Sequence, residues 1–161
     1  MRRYWVPESS LQGPLVQLEG DVFHHIATVC RQTVGDRFEV ICEQKAYFVE
    51  IIEHKKKKAT AKILEERQIQ ELPKPHIHLA LSVPKFSTTD RVVEKMVELG
   101  VKQVHLFSSD FSFIKDKHKG IEKKQQRWEK IIRGATQQTG RGELMPLTEV
   151  TPLRVLLESH F

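Results

Sequence analysis

The residues most able to do chemistry in this chain are cationic, and most of them fall in one stretch. Lys115, Lys117, Lys119, Lys123, Lys124, Arg127, Lys130 and Arg133 lie between positions 115 and 133, opposed there by Asp116, Glu122 and Glu129. Lysine and arginine at this density neutralise phosphates, and such contacts dominate affinity for nucleic acids because they release condensed counterions. The same pattern also serves as a solvated helix face. Lys85, Gln138 and Arg141 are the other candidates on the substrate side. Lys85 follows an apolar run that reads as a strand, so it stands at the carboxyl end where open α/β sheets bind ligands. Gln138 and Arg141 close the basic stretch, where Arg141 can instead answer the negative end of a helix dipole.

Other reactive types carry less. Cys30 and Cys42 stand alone without a CxxC or paired-histidine companion, so neither a disulfide framework nor a zinc site is indicated, and both read as small core residues. His24 and His25 flank a short helix, one expected to pack and one to be exposed, and no recurring ligand spacing makes them a metal site. Lys55 to Lys58 reads as a hairpin turn whose charges keep a sheet edge soluble, with RNA contact as the other reading. The net charge of +5 favours a polyanionic partner. The 39% hydrophobic and 29% charged residues are globular values, and no apolar run approaches the roughly 20 residues of a membrane span. Met1-Arg2-Arg3-Tyr4-Trp5 is followed by Pro7 and Glu8 rather than an apolar core, so no secretory signal is read and the cytoplasm is the expected location.

Two kinds of element must hold these groups. Over residues 1 to 66, short apolar runs at Leu15–Leu18, Arg37–Ile41, Tyr47–Ile52 and Ala59–Leu64 read as strands. Asp21 can cap one helix carrying Phe23, Ile26, Ala27 and Cys30. Many short strands with one helix suggest a small β-barrel. Glu71-Leu72-Pro73-Lys74-Pro75 breaks the rhythm and places a boundary between domains 1–70 and 71–161.

The second part alternates strands and helices. Ile77–Val83 and Val101–Phe107 are strands, and Thr89 or Asp90 can cap a helix with Val92, Val93, Met96, Val97 and Leu99 inward, ended by Gly100. A long helix runs from about Ile121 to Gln138, with Trp128, Ile131, Ile132 and Ala135 at helical spacing and Gly140 as its stop. Met145–Val150 reads as a third strand, and Pro152 opens a last helix through Leu157. This βαβαβα order predicts a parallel sheet covered by helices. Three strands make a meagre sheet and no stop signal precedes Phe161, so the chain is expected to end inside that domain.

Three ordered motifs carry a resemblance. Pro84 to Val101 includes Pro84-Lys85 and closes on Lys95-Met96-Val97-Glu98-Leu99-Gly100-Val101; Arg127 to Arg141 begins Arg127-Trp128 and ends Gln137-Gln138-Thr139-Gly140-Arg141; His25 to Asp36 places Cys30-Arg31 before Gly35-Asp36. Together they are similar to the RsmE family of bacterial small-subunit rRNA methyltransferases, in which Leu usually stands at the position of Cys30. The resemblance implies a PUA-like β-barrel followed by the first half of a SPOUT domain, the α/β knot of these methyltransferases. It further implies methylation of N3 of a uridine in 16S rRNA from S-adenosyl-L-methionine, and a homodimer for the full-length family member. Under it Arg31, Lys85, Lys123, Lys124, Arg127, Lys130, Arg133, Gln138 and Arg141 are the RNA-side residues. Uridine N3 must lose its proton before it attacks the sulfonium methyl, so cationic or hydrogen-bonding groups near O2 or O4 would favour the anion; no residue is named as the proton acceptor.

The sequence also departs from that family. Its donor-binding Gly-Pro-Glu-Gly-Gly loop is absent, since no Gly-Pro-Glu occurs here, so the donor site is expected mainly beyond Phe161 and the 161 residues alone are expected to be inactive and not dimeric. Gln137 replaces a usual Glu, and Ser108-Ser109-Asp110 lacks the Arg of the family's Ser-Glu-Arg. A non-catalytic RNA-binding module is the alternative reading.

Overall fold

The computed structural model describes residues 2–112 and 120–160. They form two compact units, Met1–Glu71 with Gly140–Glu143, and Leu72–Thr139 with Leu144–Phe161.

The first unit is a six-stranded sheet. Its strands are β1 (Arg3–Trp5), β2 (Leu11–Gln12), β3 (Leu15–Glu19), β4 (Arg37–Cys42), β5 (Lys45–His54) and β6 (Lys58–Gln68), in the order β1-β4-β5-β6-β3-β2. β1 runs parallel to β4 and the other pairs are antiparallel. Alternation puts Val16, Leu18, Phe38, Val40, Val49 and Ile51 on the covered face, each at most 1% exposed. Register shifts at Phe48/Val49 and Ile51/Glu53 break the long β5–β6 ladder, as bulges that bend a strand do. The expected helix is shorter than its spacing suggested: α1 spans Gly20–His24 and passes into a single π turn at His25–Val29, which delivers fully buried Ile26 into the core. Asp21 lies inside α1 rather than at its cap. β1 and β2 were too short to leave a periodic signal in the sequence.

The second unit holds a parallel sheet of β7 (His78–Ser82), β8 (Gln103–Ser108) and β9 (Thr151–Pro152), with β8 central. Helices α2 (Phe86–Glu98), α3 (Ile121–Thr139) and α4 (Leu153–His160) alternate with these strands. The core gathers Val83, Val93, Val97, Val104, Leu106, Trp128, Ile132 and Met145. Two expectations are corrected. The run Met145–Val150 makes one parallel bridge, Leu147 to Val104, and the strand itself is displaced to Thr151–Pro152, because the Leu106 backbone N–H donates to Thr148 Oγ1 at 3.0 Å in place of a continuing ladder. Helix α2 begins a turn earlier than a Thr89 or Asp90 cap would allow, with Lys85 at its N-cap. Thr89 is instead fully buried, its hydroxyl 3.3 Å from the Lys85 carbonyl oxygen. No helix among the described residues is long and apolar enough to cross a membrane.

Candidate nucleic-acid interface

α3 sorts its residues cleanly by face. Trp128, Ile132, Ala135 and Thr136 are buried, whereas Lys123, Arg127, Lys130 and Arg133 are exposed on the opposite side, followed by exposed Gln138. The spacing 123, 127, 130 is i, i+4, i+7, which stacks three cations along one line of the helix. Gly134 continues that line, and a Cβ placed there would meet nothing within 4 Å. The result is a cationic stripe with a bare notch near its end. Lys115, Lys117 and Lys119, which the sequence groups with the stripe, lie outside the described residues.

The stripe is anchored by a residue first read as a helix cap. Asp90 on α2 accepts from the buried Trp128 indole Nε1 at 2.9 Å with one oxygen and from Arg127 Nε at 2.9 Å with the other. Trp128 is fully buried, so its N–H needs that acceptor. The Arg127 side chain is nevertheless 62% exposed, leaving its outer guanidinium nitrogens toward solvent. Lys124 turns to the flank, with Nζ 4.9 Å from the Phe86 ring centroid, a cation–π arrangement that holds it off the stripe.

Lys85 is exposed beyond the carboxyl end of β7, where the sequence reading put it. Next to these strand ends, Ser82 Oγ and Ser112 Oγ lie 2.7 Å apart and Ser109 Oγ and Ser112 Oγ 3.0 Å apart. Ser112 Oγ also accepts from the Ser109 backbone N–H at 2.7 Å. In this turn, where the resemblance implies an arginine, the sequence has Asp110.

In the first unit Arg31 is exposed and left-handed, at φ 52, just past Cys30, the C-cap of the π turn. Single π turns and non-glycine left-handed residues recur at functional positions. His24 and His25 are both exposed, against the expectation that one would pack, and the His25 ring meets Tyr4 edge-on at 5.7 Å. Cys42 is buried and Cys30 half-buried. Arg141 does not continue the stripe. It lies in Gly140–Glu143, which belongs to the first unit, and its side chain is 5% exposed, with Nη2 3.3 Å from Glu143 Oε1. Burial depresses its basicity, and the Glu143 charge opposes that shift. Next to it the backbone runs close to Gln44: the Gly142 carbonyl accepts from Gln44 N at 3.0 Å, and a Cβ on Gly142 would come within 2.9 Å of Gln44 Cα.

Comparison with known proteins agrees with this layout. The profile of the RNA methyltransferase domain matches residues 70–160, and that of the RNA methyltransferase PUA domain matches residues 18–64. The chain is 28% identical to ribosomal RNA small subunit methyltransferase E of Bacillus subtilis, covering 98% of this chain and 63% of that protein. It is 32% identical to the enzyme of the same name from Aquifex aeolicus, over 88% of this chain and 59% of the relative. Among solved structures, ribosomal RNA small subunit methyltransferase E from Neisseria gonorrhoeae, bound to S-adenosyl methionine, superposes with a TM-score of 0.88 at 25% identity, covering 100% of this chain and 66% of that one. The chain thus spans a little under two-thirds of these relatives.

Proposed function

Because the chain belongs to the RsmE family of RNA methyltransferases, matched along both of its units, we propose that the protein it represents methylates N3 of a uridine in 16S rRNA from S-adenosyl-L-methionine. In this reading the six-stranded unit is a PUA-like barrel that holds RNA, residues 71–161 are the first half of a SPOUT domain, and the full-length protein works in the cytoplasm as a homodimer. The observation that carries the reading is the exposed stripe of Lys123, Arg127, Lys130 and Arg133 on α3, within the stretch that matches the RNA methyltransferase domain. These residues bind phosphates and fix register, which positions a base without reading it. Arg31 and Gln138 extend the RNA-facing set. Lys85, exposed beyond β7, belongs to the substrate side in this reading. Lys124 and Arg141 contribute less, the first held over Phe86 and the second buried beside Glu143.

S-adenosyl-L-methionine supplies the methyl group in this reaction. The described residues do not fit it, since the hydroxyls at the carboxyl ends of β7 and β8 bond one another and the sequence has no Gly-Pro-Glu loop. No step of methyl transfer is therefore assigned to this chain's residues. The test is genetic and chemical together: deleting the gene and mapping methylated uridines in the small-subunit rRNA by mass spectrometry. Loss of one N3-methyluridine is expected. An unchanged modification map, with rRNA binding by the protein intact, favours the non-catalytic RNA-binding module instead.

A further inference from the structure

The β5–β6 hairpin lies in the middle of the six-stranded sheet rather than at its edge. β3 pairs with β6 as far as Glu19 opposite Lys58, and there the chain leaves the sheet through Gly20, at φ 59, into α1. The hairpin tip, closed by Lys55 N bonding to the Lys58 carbonyl at 2.8 Å, therefore runs on beyond the end of β3 and stands beside α1. Between them opens a cleft of about 460 Å³ lined by Glu19, Gly20, Phe23, Lys56, Lys57 and Lys58.

Its chemistry is mixed in a particular way. Glu19, the acid in the wall, lies 3.9 Å from Lys58, and Lys55 at the tip pairs with Glu53 at 2.8 Å. Lys56 and Lys57 are exposed and take part in no ion pair among the described residues, so they set the sign of the cleft. Phe23 is half-buried against the core of the unit, and its ring lies 5.3 Å from that of His54 at 47°. A half-covered aromatic beside free lysines is the pairing that single-stranded nucleic acid uses, bases stacking on the ring while cations follow the backbone. An acidic peptide would use the lysines and leave the ring idle.

We propose that this cleft is a nucleotide subsite for single-stranded RNA, with a base on Phe23 and the adjoining phosphates on Lys56 and Lys57. The inference rests on the RNA reading above and adds a place and a base-stacking contact to it. It is tested by anisotropy of a fluorescent single-stranded small-subunit rRNA fragment, titrated with the chain over a range of salt concentrations. Lys56→Gln with Lys57→Gln is expected to weaken binding about tenfold and to flatten the log–log salt slope by roughly 1.4, the value for two phosphates on a single strand. Phe23→Leu, which keeps an apolar side chain against the core, is expected to weaken binding about fivefold or more with the slope unchanged, and to abolish the quenching of a 2-aminopurine placed in the RNA. The double control Lys45→Gln with Lys62→Gln removes equal charge elsewhere on the same sheet and is expected to leave the 2-aminopurine signal intact. Melting curves show that each variant is folded. If the wild-type chain binds and the cleft variants bind as it does, the subsite is overturned while the RNA reading stands. If the wild type binds no RNA, both fall. Equal competition by polyglutamate against the stacked signal identifies a general polyanion site and overturns the nucleotide assignment.

Discussion

Gly142 has no room for a side chain, because an added Cβ would collide with Gln44 Oε1 and lie 2.9 Å from Gln44 Cα. The backbone contact cannot be relieved by a rotamer change, so Gly142→Ala is expected to destabilise the protein by about 1–3 kcal/mol, the usual cost of overpacking. Urea denaturation measures this, and a loss too small to detect would contradict the close approach. Glu39 makes a second prediction. Burial pushes its carboxyl pKa up, but bonds from Arg3 at 2.8 Å and Arg67 at 2.8 Å outweigh burial and hold it below its ordinary value. A carboxyl depressed in the folded state contributes stability that is present above its unfolded pKa of about 4.3 and is lost as pH falls through the folded value. Stability is therefore expected to decline below about pH 4, and Glu39→Gln to flatten that part of the profile measured by denaturant midpoints. Neither feature was legible beforehand. Gly140 read as a helix stop and Gly142 carried no signal of its own, and nothing local in Arg37–Ile41 announces that Glu39 meets cations from Arg3 and Arg67 on other strands.

Helix α3 shows what periodicity reveals and where it stops. Its apolar residues at 128, 132 and 135 fixed the buried face, and the cationic stripe followed as its complement. The role of Asp90 did not follow, since a residue read as a cap turned out to serve Trp128 and Arg127 across two helices. Asp90→Ala leaves the buried indole N–H without its acceptor and is expected to cost about 1–3 kcal/mol. It also releases Arg127, so RNA affinity measured below the melting temperature is expected to hold or rise. A fall in affinity by a folded variant would show that Arg127 needs Asp90 to face the RNA. Gly134 sits mid-helix with open space around it, so Gly134→Ala is expected to raise stability by about 0.5–1 kcal/mol, seen as a higher Tm. The third strand marks the other side of legibility: the apolar run at 145–150 was visible, but its displacement to Thr151–Pro152 depends on Thr148 bonding to β8.

For the whole molecule, alternating strands and helices predicted the parallel sheet after residue 71, and short strands predicted a β-rich unit before it, expected as a small barrel and seen as a six-stranded sheet, because both rest on patterns within single elements. The donor's place did not follow from such patterns. Titrated with S-adenosyl-L-methionine in a calorimeter, the 161-residue chain is expected to give no binding heat, and micromolar binding would mean that its strand ends form a cradle after all. The RNA side is tested most directly by the salt dependence of binding to a small-subunit rRNA fragment. With Lys123, Arg127, Lys130 and Arg133 on phosphates, the log–log slope is expected to be about −3 or steeper on a single strand, and changing those four to Gln is expected to remove most of it. A flat salt dependence, or a slope unaffected by the four substitutions, would contradict the α3 stripe as the RNA-binding face.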